Sequence, residues 1–484
     1  MATLRQRAFV PVLLCASSTA AIVSSLGAPL IPRLAEQLHV SISSAQWTLT
    51  VTLVVAAVLS PLVGQLGDGR HRTRVLQIGL GVVFAGGAMA AVSLSLPLVI
   101  AGRAMQGFGI ALMPLTMAAA RDRLPKEHAA QVIAALSVVG AAGVGLGYPI
   151  TGLIADHGGV AGAYWFGAGA GLVALVLVSW AVPAPLNPRV GGRLDLLGAA
   201  LIGLGLVALL VALDRGAEWG WGSTQTASLI AIGLVLIAVW TAYELRVGNP
   251  LVDLRLLRHR AVLSANLSAL LLGVTFYSSL VLVTQLVQQP TFGFGASVLT
   301  SGLTLLPLSV LSAAASRTLP WLEHRVGTRP IIPAGAVAAA AASVFFALTA
   351  TSLWQAFVAM GITGIAFGYT FAAIPGLITS AVPRNQTSSA MGLYQVTRFV
   401  GFATGSGLAV TLLRLFGTHG QPNLHAYRAT SVTAAAIAIF TAGAAWLLAG
   451  PVVRGEASEA AHAYEVREGL LATAGLEDLP GTDD

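Results

Sequence analysis

Apolar runs of about twenty residues follow one another along most of the chain, separated by short polar segments that carry most of its charge. A helix needs a run of that length to cross ~30 Å of hydrocarbon. The pattern predicts fourteen spans, at 8–31, 45–66, 75–95, 98–120, 130–155, 161–182, 195–213, 225–244, 262–288, 297–318, 331–350, 354–377, 388–415 and 429–450. The start, MATLRQR then AFVPVLLCA, has the basic, apolar, small order of a secretory leader. The apolar run continues through Ala21–Leu30, longer than a leader's core, so it reads as a first transmembrane helix.

Composition agrees with membrane residence. The chain is 56% hydrophobic and 9% charged, against roughly a quarter charged in soluble domains. Its net charge of +7 is no nucleic-acid signal, because the basic residues cluster in alternate short loops. Arg70, Arg72 and Arg74, then Arg121, Arg123 and Lys126, Arg189 and Arg193, Arg246, Arg255, Arg258 and Arg260, Arg325 and Arg329, and Arg384 fall on one side. The other side has only Arg33, Arg215, Arg414 and Arg428. That bias places both termini in the cytoplasm, and an even number of spans follows. A lone cysteine, Cys15, excludes an intrachain disulfide and a cysteine-based metal site. No metal or cofactor is expected. Lys126 is the one lysine among many arginines. That fits a GC-rich genome and a bacterial plasma (inner) membrane. After Pro451, eight acidic residues against Arg454 and Arg467 predict a cytoplasmic tail.

Two segments recur. GQLGDGRHRTR (64–74) is echoed by LEHRVGTR (322–329), which aligns Asp68, Arg70 and Arg74 with Glu323, Arg325 and Arg329. AARDRLPKEHAAQ (119–131) is echoed by ITSAVPRNQTSSA (378–390), with Pro125 answering Pro383. Two related halves in a membrane are a transporter's organisation. The expected units are a six-helix half (1–188), two inserted helices with a cytoplasmic linker (189–260), a second six-helix half (261–450) and an acidic tail (451–484).

Three motifs give this chain a family resemblance. GQLGDGRHRTR resembles the loop 2–3 signature G-x-L-a-D-r-x-G-r-r of the major facilitator superfamily. RAMQGFG (103–109) is similar to its span-4 R-x-x-Q-G motif, and GVGLGYPITG (143–152) to its span-5 antiporter motif. NPLVDLRLLRHR (249–260) is typical of the 14-helix drug–proton antiporter branch. The resemblance covers about 8–450 and implies an all-α polytopic membrane protein of two six-helix halves plus two inserted helices. The chain departs from the pattern at Gly69, His71 and Tyr148, where the family has Arg, Gly and Gly.

Each motif has a physical reading. Gly64 permits close helix approach, and Asp68 can accept hydrogen bonds at a facing helix N-terminus. With Arg70 and Arg72 these form a candidate conformational latch, although the arginines also serve simply to set topology. Arg103 lies within span 4, where a charge marks a functional or paired position. The resemblance implies proton coupling for it, with Gln106 and Gly107 beside it, and the alternative is a brace between helices. Gly143, Gly147, Pro149 and Gly152 form either a pivot that seals the space between the halves or an ordinary packing stripe.

Proton coupling lacks its usual carrier. Span 1 has no acidic residue, and no other carboxylate lies mid-span. Asp68 and Asp156 are the candidates that remain beside Arg103. On the substrate side, Arg398 in QVTRFVGFATGSG (395–407) sits mid-span, able to attract an acceptor-rich group or to pair with carbonyls. Asn266, Tyr277, Gln285, Tyr369 and Tyr394 are further cavity candidates, since amide and aromatic groups on apolar walls suit amphipathic organic compounds.

The leading expectation is a secondary transporter that exports amphipathic drugs or metabolites in exchange for protons, by alternating access. A dedicated metabolite exporter, or an importer not driven by protons, is the alternative. The sequence has no H-E-x-x-H, P-loop lysine or Cys/His cluster, so an enzyme or a sensor is disfavoured. The expected partners are a small amphipathic substrate, protons and the lipid bilayer.

Overall fold

The computed structural model describes residues 2–67, 71–93, 95–184, 195–248, 250–382, 387–418 and 420–448. Asp68 and Arg70 of the expected latch lie outside these residues, as does the tail after residue 450. The described residues form sixteen α-helices: α1 (Ala2–Ser25), α2 (Ile31–Gln37), α3 (Ile42–Gly67), α4 (Arg72–Val92), α5 (Leu96–Ile110), α6 (Met113–Arg123), α7 (Lys126–Ala181), α8 (Leu196–Trp219), α9 (Thr224–Glu244), α10 (Arg260–Gln288), α11 (Val298–Thr304), α12 (Leu306–Val326), α13 (Ile331–Thr349), α14 (Leu353–Ala381), α15 (Thr387–Leu415) and α16 (Leu424–Leu448).

Among the described residues, thirteen helical stretches are long and apolar enough to cross a membrane. The expected spans 5 and 6 share the 56-residue α7, which a bilayer could not hold as one rod of ~84 Å. Gly159 breaks it, with φ 68° and ψ −176°, a left-handed backbone open to glycine. Around that corner Ile154 lies back against Gly162. Its two arms, 126–158 and 160–181, are each as long as the expected spans 5 and 6 require.

The halves repeat one packing scheme. In the first, α1 packs on α7, α5 on α3 and α4, and α4 on α7. In the second, α10 packs on α15, α14 on α12 and α13, and α13 on α16. Lipid-like surroundings give helices no hydrophobic drive to associate, so small residues that let backbones touch decide where they pack. Gly86 and Gly102 meet between α4 and α5, each leaving no room for a Cβ beside the other's carbonyl. Between α10 and α15 a Cβ on Gly273 would lie 3.2 Å from the Gly401 Cα, and one on Gly401 would run into the Leu270 carbonyl.

The halves join where α3 lies against α15 and where α7 meets α11 and α12. The inserted α8 packs on both α3 and α15, and Thr411 donates to the Leu213 carbonyl at 3.1 Å. Asp195 caps α8, accepting from the Gly198 amide (2.8 Å), the Tyr243 hydroxyl (3.1 Å) and the Leu251 amide (3.3 Å). Buried Glu244 accepts from the Val252 amide at 3.3 Å. These two carboxylates therefore tie the inserted pair to the segment that leads into the second half.

Candidate functional site

The site begins with the two arginines that the sequence places well inside spans, away from their ends. Arg103, on α5, is fully buried. Its Nη1 donates to Gln106 Oε1 at 2.7 Å and to the Val23 carbonyl at 3.3 Å, and its Nε donates to the Thr48 carbonyl at 3.3 Å. The Tyr164 ring lies 6.0 Å from the guanidinium carbon. Its Nη2 and the Gln106 Nε2 have no hydrogen-bond partner among the described residues. Four elements thus hold one charge with no carboxylate against it. Gly107 brings α5 against α3, where a Cβ would stand 2.6 Å from the Thr52 carbonyl. Thr52 in turn donates to the Arg103 carbonyl at 3.1 Å. The partners of Arg103 were illegible in the sequence because most are backbone carbonyls.

Arg398, on α15, is half-buried among rings: Tyr394 and Phe399 at 5.2 Å, Phe402 at 5.8 Å and Phe371 at 5.9 Å. Its hydrogen bond among the described residues is a long one, 3.4 Å to the Tyr394 hydroxyl, and its Nε has none. The rings continue inward. Tyr277 lies 4.6 Å from Phe402, and Phe276 lies 4.8 Å from Phe367. Tyr277 is buried on α10 within electrostatic reach of both Arg103 and Arg398.

The remaining expected cavity residues divide. Asn266 is buried between helices, donating to the Val262 carbonyl (2.8 Å) and accepting from Thr397 (3.0 Å). Tyr369 shares a 2.8 Å hydrogen bond with Thr318. Both brace helices of the second half. Gln285 instead reaches across the halves to Gln46 Oε1 at 3.3 Å.

That contact belongs to a seal at the end of the bundle away from the N-terminus. Gln46 Nε2 donates to Ser406 at 2.6 Å, and Thr50 also bonds Ser406 at 3.1 Å. Gln288 donates to the Pro29 carbonyl at 2.9 Å. The span-5 motif forms the other side. Gly147 fits against Ser25 of α1, and Thr151 bonds the Ser25 hydroxyl at 3.0 Å. A Cβ on Gly152 would lie 2.6 Å from Leu299 Cα, and one on Gly302 would lie 2.5 Å from the Tyr148 carbonyl, with Pro149 next to it. Backbone therefore touches backbone across the halves at this motif. Asp156 closes the row, pairing with Arg33 at 3.1 Å and accepting from the Leu299 amide at 3.0 Å. Gly143 lies on the same helix, closer to its start.

At the opposite end Gly64 lies in the last turns of α3. Arg72 is buried and bonds Asp122 at 2.6 Å and the Ala118 carbonyl at 3.2 Å, joining α4 to α6. Gln46, Ser406 and Asp122 were missed by the sequence reading. Gln46 and Thr50 carry a faint signal, being polar residues one helical turn apart, but Thr48 and Thr52 beside them are polar as well.

Comparison with known proteins agrees. The family model of the Major Facilitator Superfamily matches residues 13–406, and again 319–470. The tetracenomycin C resistance and export protein of Streptomyces glaucescens is 26% identical over 390 residues, 79% of this chain and 71% of that protein. The methyl viologen resistance protein SmvA of Salmonella typhimurium is 27% identical over 394 residues, 79% of this chain and 77% of that one. In fold, the chain resembles a peptide transporter, POT, solved in complex with sulfate, with a TM-score of 0.68 at 13% identity over 91% of this chain and 94% of that one. Two repeated halves, an interlocked contact between them and a family model that spans most of the sequence lead to one assignment: the chain belongs to the Major Facilitator Superfamily, as a multi-pass membrane transporter and not an enzyme.

Proposed function

We propose that this transporter exports small amphipathic molecules across a bacterial plasma membrane in exchange for protons, by rocking its halves so that the contact of α7 with α11 closes and opens. The observation that carries this reading is the seal. The span-5 glycines meet the second half backbone to backbone, and a few hydrogen bonds and one ion pair complete the closure. Such a contact breaks cleanly because little side-chain packing has to be undone. With both termini in the cytoplasm, as the arginine bias favours, the sealed end faces outward. The named relatives are resistance and export proteins, which supports export.

The test is accumulation in inverted membrane vesicles under an imposed pH gradient, with a panel of cationic, neutral and anionic fluorophores. Gradient-dependent accumulation of any of them, abolished by a protonophore, is the expected result. A second reading has a specific observation behind it: no carboxylate lies mid-span in the sequence, so the substrate's own gradient could drive transport. In that case the fluorophore equilibrates across the vesicle membrane without accumulating, at a rate the protonophore leaves unchanged. No uptake of either kind by correctly folded protein would sink broad efflux and leave a narrow-specificity transporter.

A further inference from the structure

The membrane interior of this protein has fixed positive charge and no fixed negative charge. Between Asp253 and Glu456 the sequence contains one carboxylate, Glu323, near the end of α12. In the first half, Glu36, Asp68, Asp122, Glu127 and Asp156 all stand at or beyond span ends, as do Asp195, Asp214, Glu218, Glu244 and Asp253 around the inserted pair. Arg103 and Arg398 are thus cations without counter-ions at mid-depth, and Tyr277 lies within reach of both.

The two are not equally provided for. Carbonyls and an amide surround Arg103, and burial seals it. Arg398 has rings instead. Aromatic faces stabilise a guanidinium far less than a hydrogen-bonded anion does, and its Nε is buried with no acceptor. No backbone carbonyl accepts from it among the described residues, so it is not tied down as a helix brace. It remains half-buried, close to four aromatic rings.

A group placed there meets two demands at once. An anionic head would supply the acceptor that Arg398 lacks, and a flat aromatic body would stack on the rings that hold the guanidinium. A cation of the same shape would stack equally well but face an unneutralised like charge in a medium of low dielectric. We propose that Arg398, with Phe371, Tyr394, Phe399 and Phe402, forms the anion subsite of the transported molecule, so that the substrates are aromatic compounds bearing a carboxylate, sulfonate or phenolate group. This rests on the transport reading above and narrows its substrate class.

The test uses two probes with one aromatic body, naphthalene-2-sulfonate and 2-naphthyl-trimethylammonium. Each is titrated calorimetrically into the full-length protein in lipid nanodiscs, with empty nanodiscs subtracted. The sulfonate is expected to bind at least about tenfold tighter than the ammonium, the size of one charge-assisted hydrogen bond. In Arg398→Gln the two should fall to within about threefold of each other. Ammonium binding equal to or tighter than sulfonate binding by the native protein would overturn the proposal, and so would binding of neither probe. An Arg398→Gln protein that keeps the preference would overturn it too. The native ratio alone decides the matter should the variant fail to fold. Failure of the transport reading looks different: vesicles that accumulate a cationic fluorophore while the sulfonate goes unbound sink the anion subsite and leave transport standing, whereas bound sulfonate without any flux does the reverse.

Discussion

The two mid-span arginines solve one problem in opposite ways. Arg103 is enclosed by carbonyls from α1 and α3 and by Gln106, one turn along its own helix. Arg398 stands among rings with a single long hydrogen bond. A charge satisfied by backbone from several helices is coupled to how those helices sit. A charge left among rings is available to something that comes and goes. The comparison separates a residue that reads the conformation from one that reads the substrate.

The largest expected effect comes from breaking the first arrangement. Arg103→Met should reduce counterflow in proteoliposomes on the order of a hundredfold, roughly the loss of two charge-assisted bonds. Its melting temperature should fall modestly, because Met leaves Gln106 Oε1 and the Val23 and Thr48 carbonyls buried without that donor. Transport that falls only in proportion to the folded protein recovered would reduce Arg103 to a brace. Next, Arg398→Lys keeps the charge but loses the planar face that stacks on Phe399 and Tyr394. It should weaken aromatic-anion binding about threefold to fivefold without moving the melting temperature, and unchanged affinity in a titration would show that stacking is irrelevant.

The sealing contact between the halves supplies a smaller effect. Gly302→Val puts side-chain atoms where the Tyr148 carbonyl stands and should destabilise the closed end by ~1–3 kcal/mol. Hydrogen exchange read over 147–156 and 298–304 should then rise. Protection equal to that of the native protein would mean that the contact is not a seal. Smallest of all, Asp156→Asn removes a partly exposed ion pair with Arg33, worth about 0–1 kcal/mol. It should leave transport within about threefold of native in the same counterflow assay. A total loss would instead return Asp156 to the proton pathway.

Span positions and fold class were legible in the sequence because hydropathy reports burial in lipid directly. The corner at Gly159 was legible only as a gap between runs, since no neighbouring residue announces a left-handed backbone. Arg103, Arg398 and the span-5 glycines stood out because charge and backbone exposure are rare within a membrane. Their settings did not. Carbonyl acceptors carry no sequence signal, and Ser406 looks like any other small residue of a packed helix. Asp195, three residues before Gly198 at the head of an apolar run, has the form of a helix cap. Its further grip on Tyr243 and Leu251 depends on chain paths that no local pattern records.

The corner of α7 also gives experimental access. A Cβ at Gly158 would meet nothing within 4 Å, and Gly158, unlike its neighbour, is not among the positive-φ residues. The one native thiol, Cys15, lies within the first membrane-spanning stretch. Gly158→Cys therefore places a single reactive handle at the tip of the bundle without prior removal of other cysteines. A membrane-impermeant maleimide applied to intact cells would label it only if that tip faces outward, so a position with no neighbours becomes the reporter of which way the whole protein sits in its membrane.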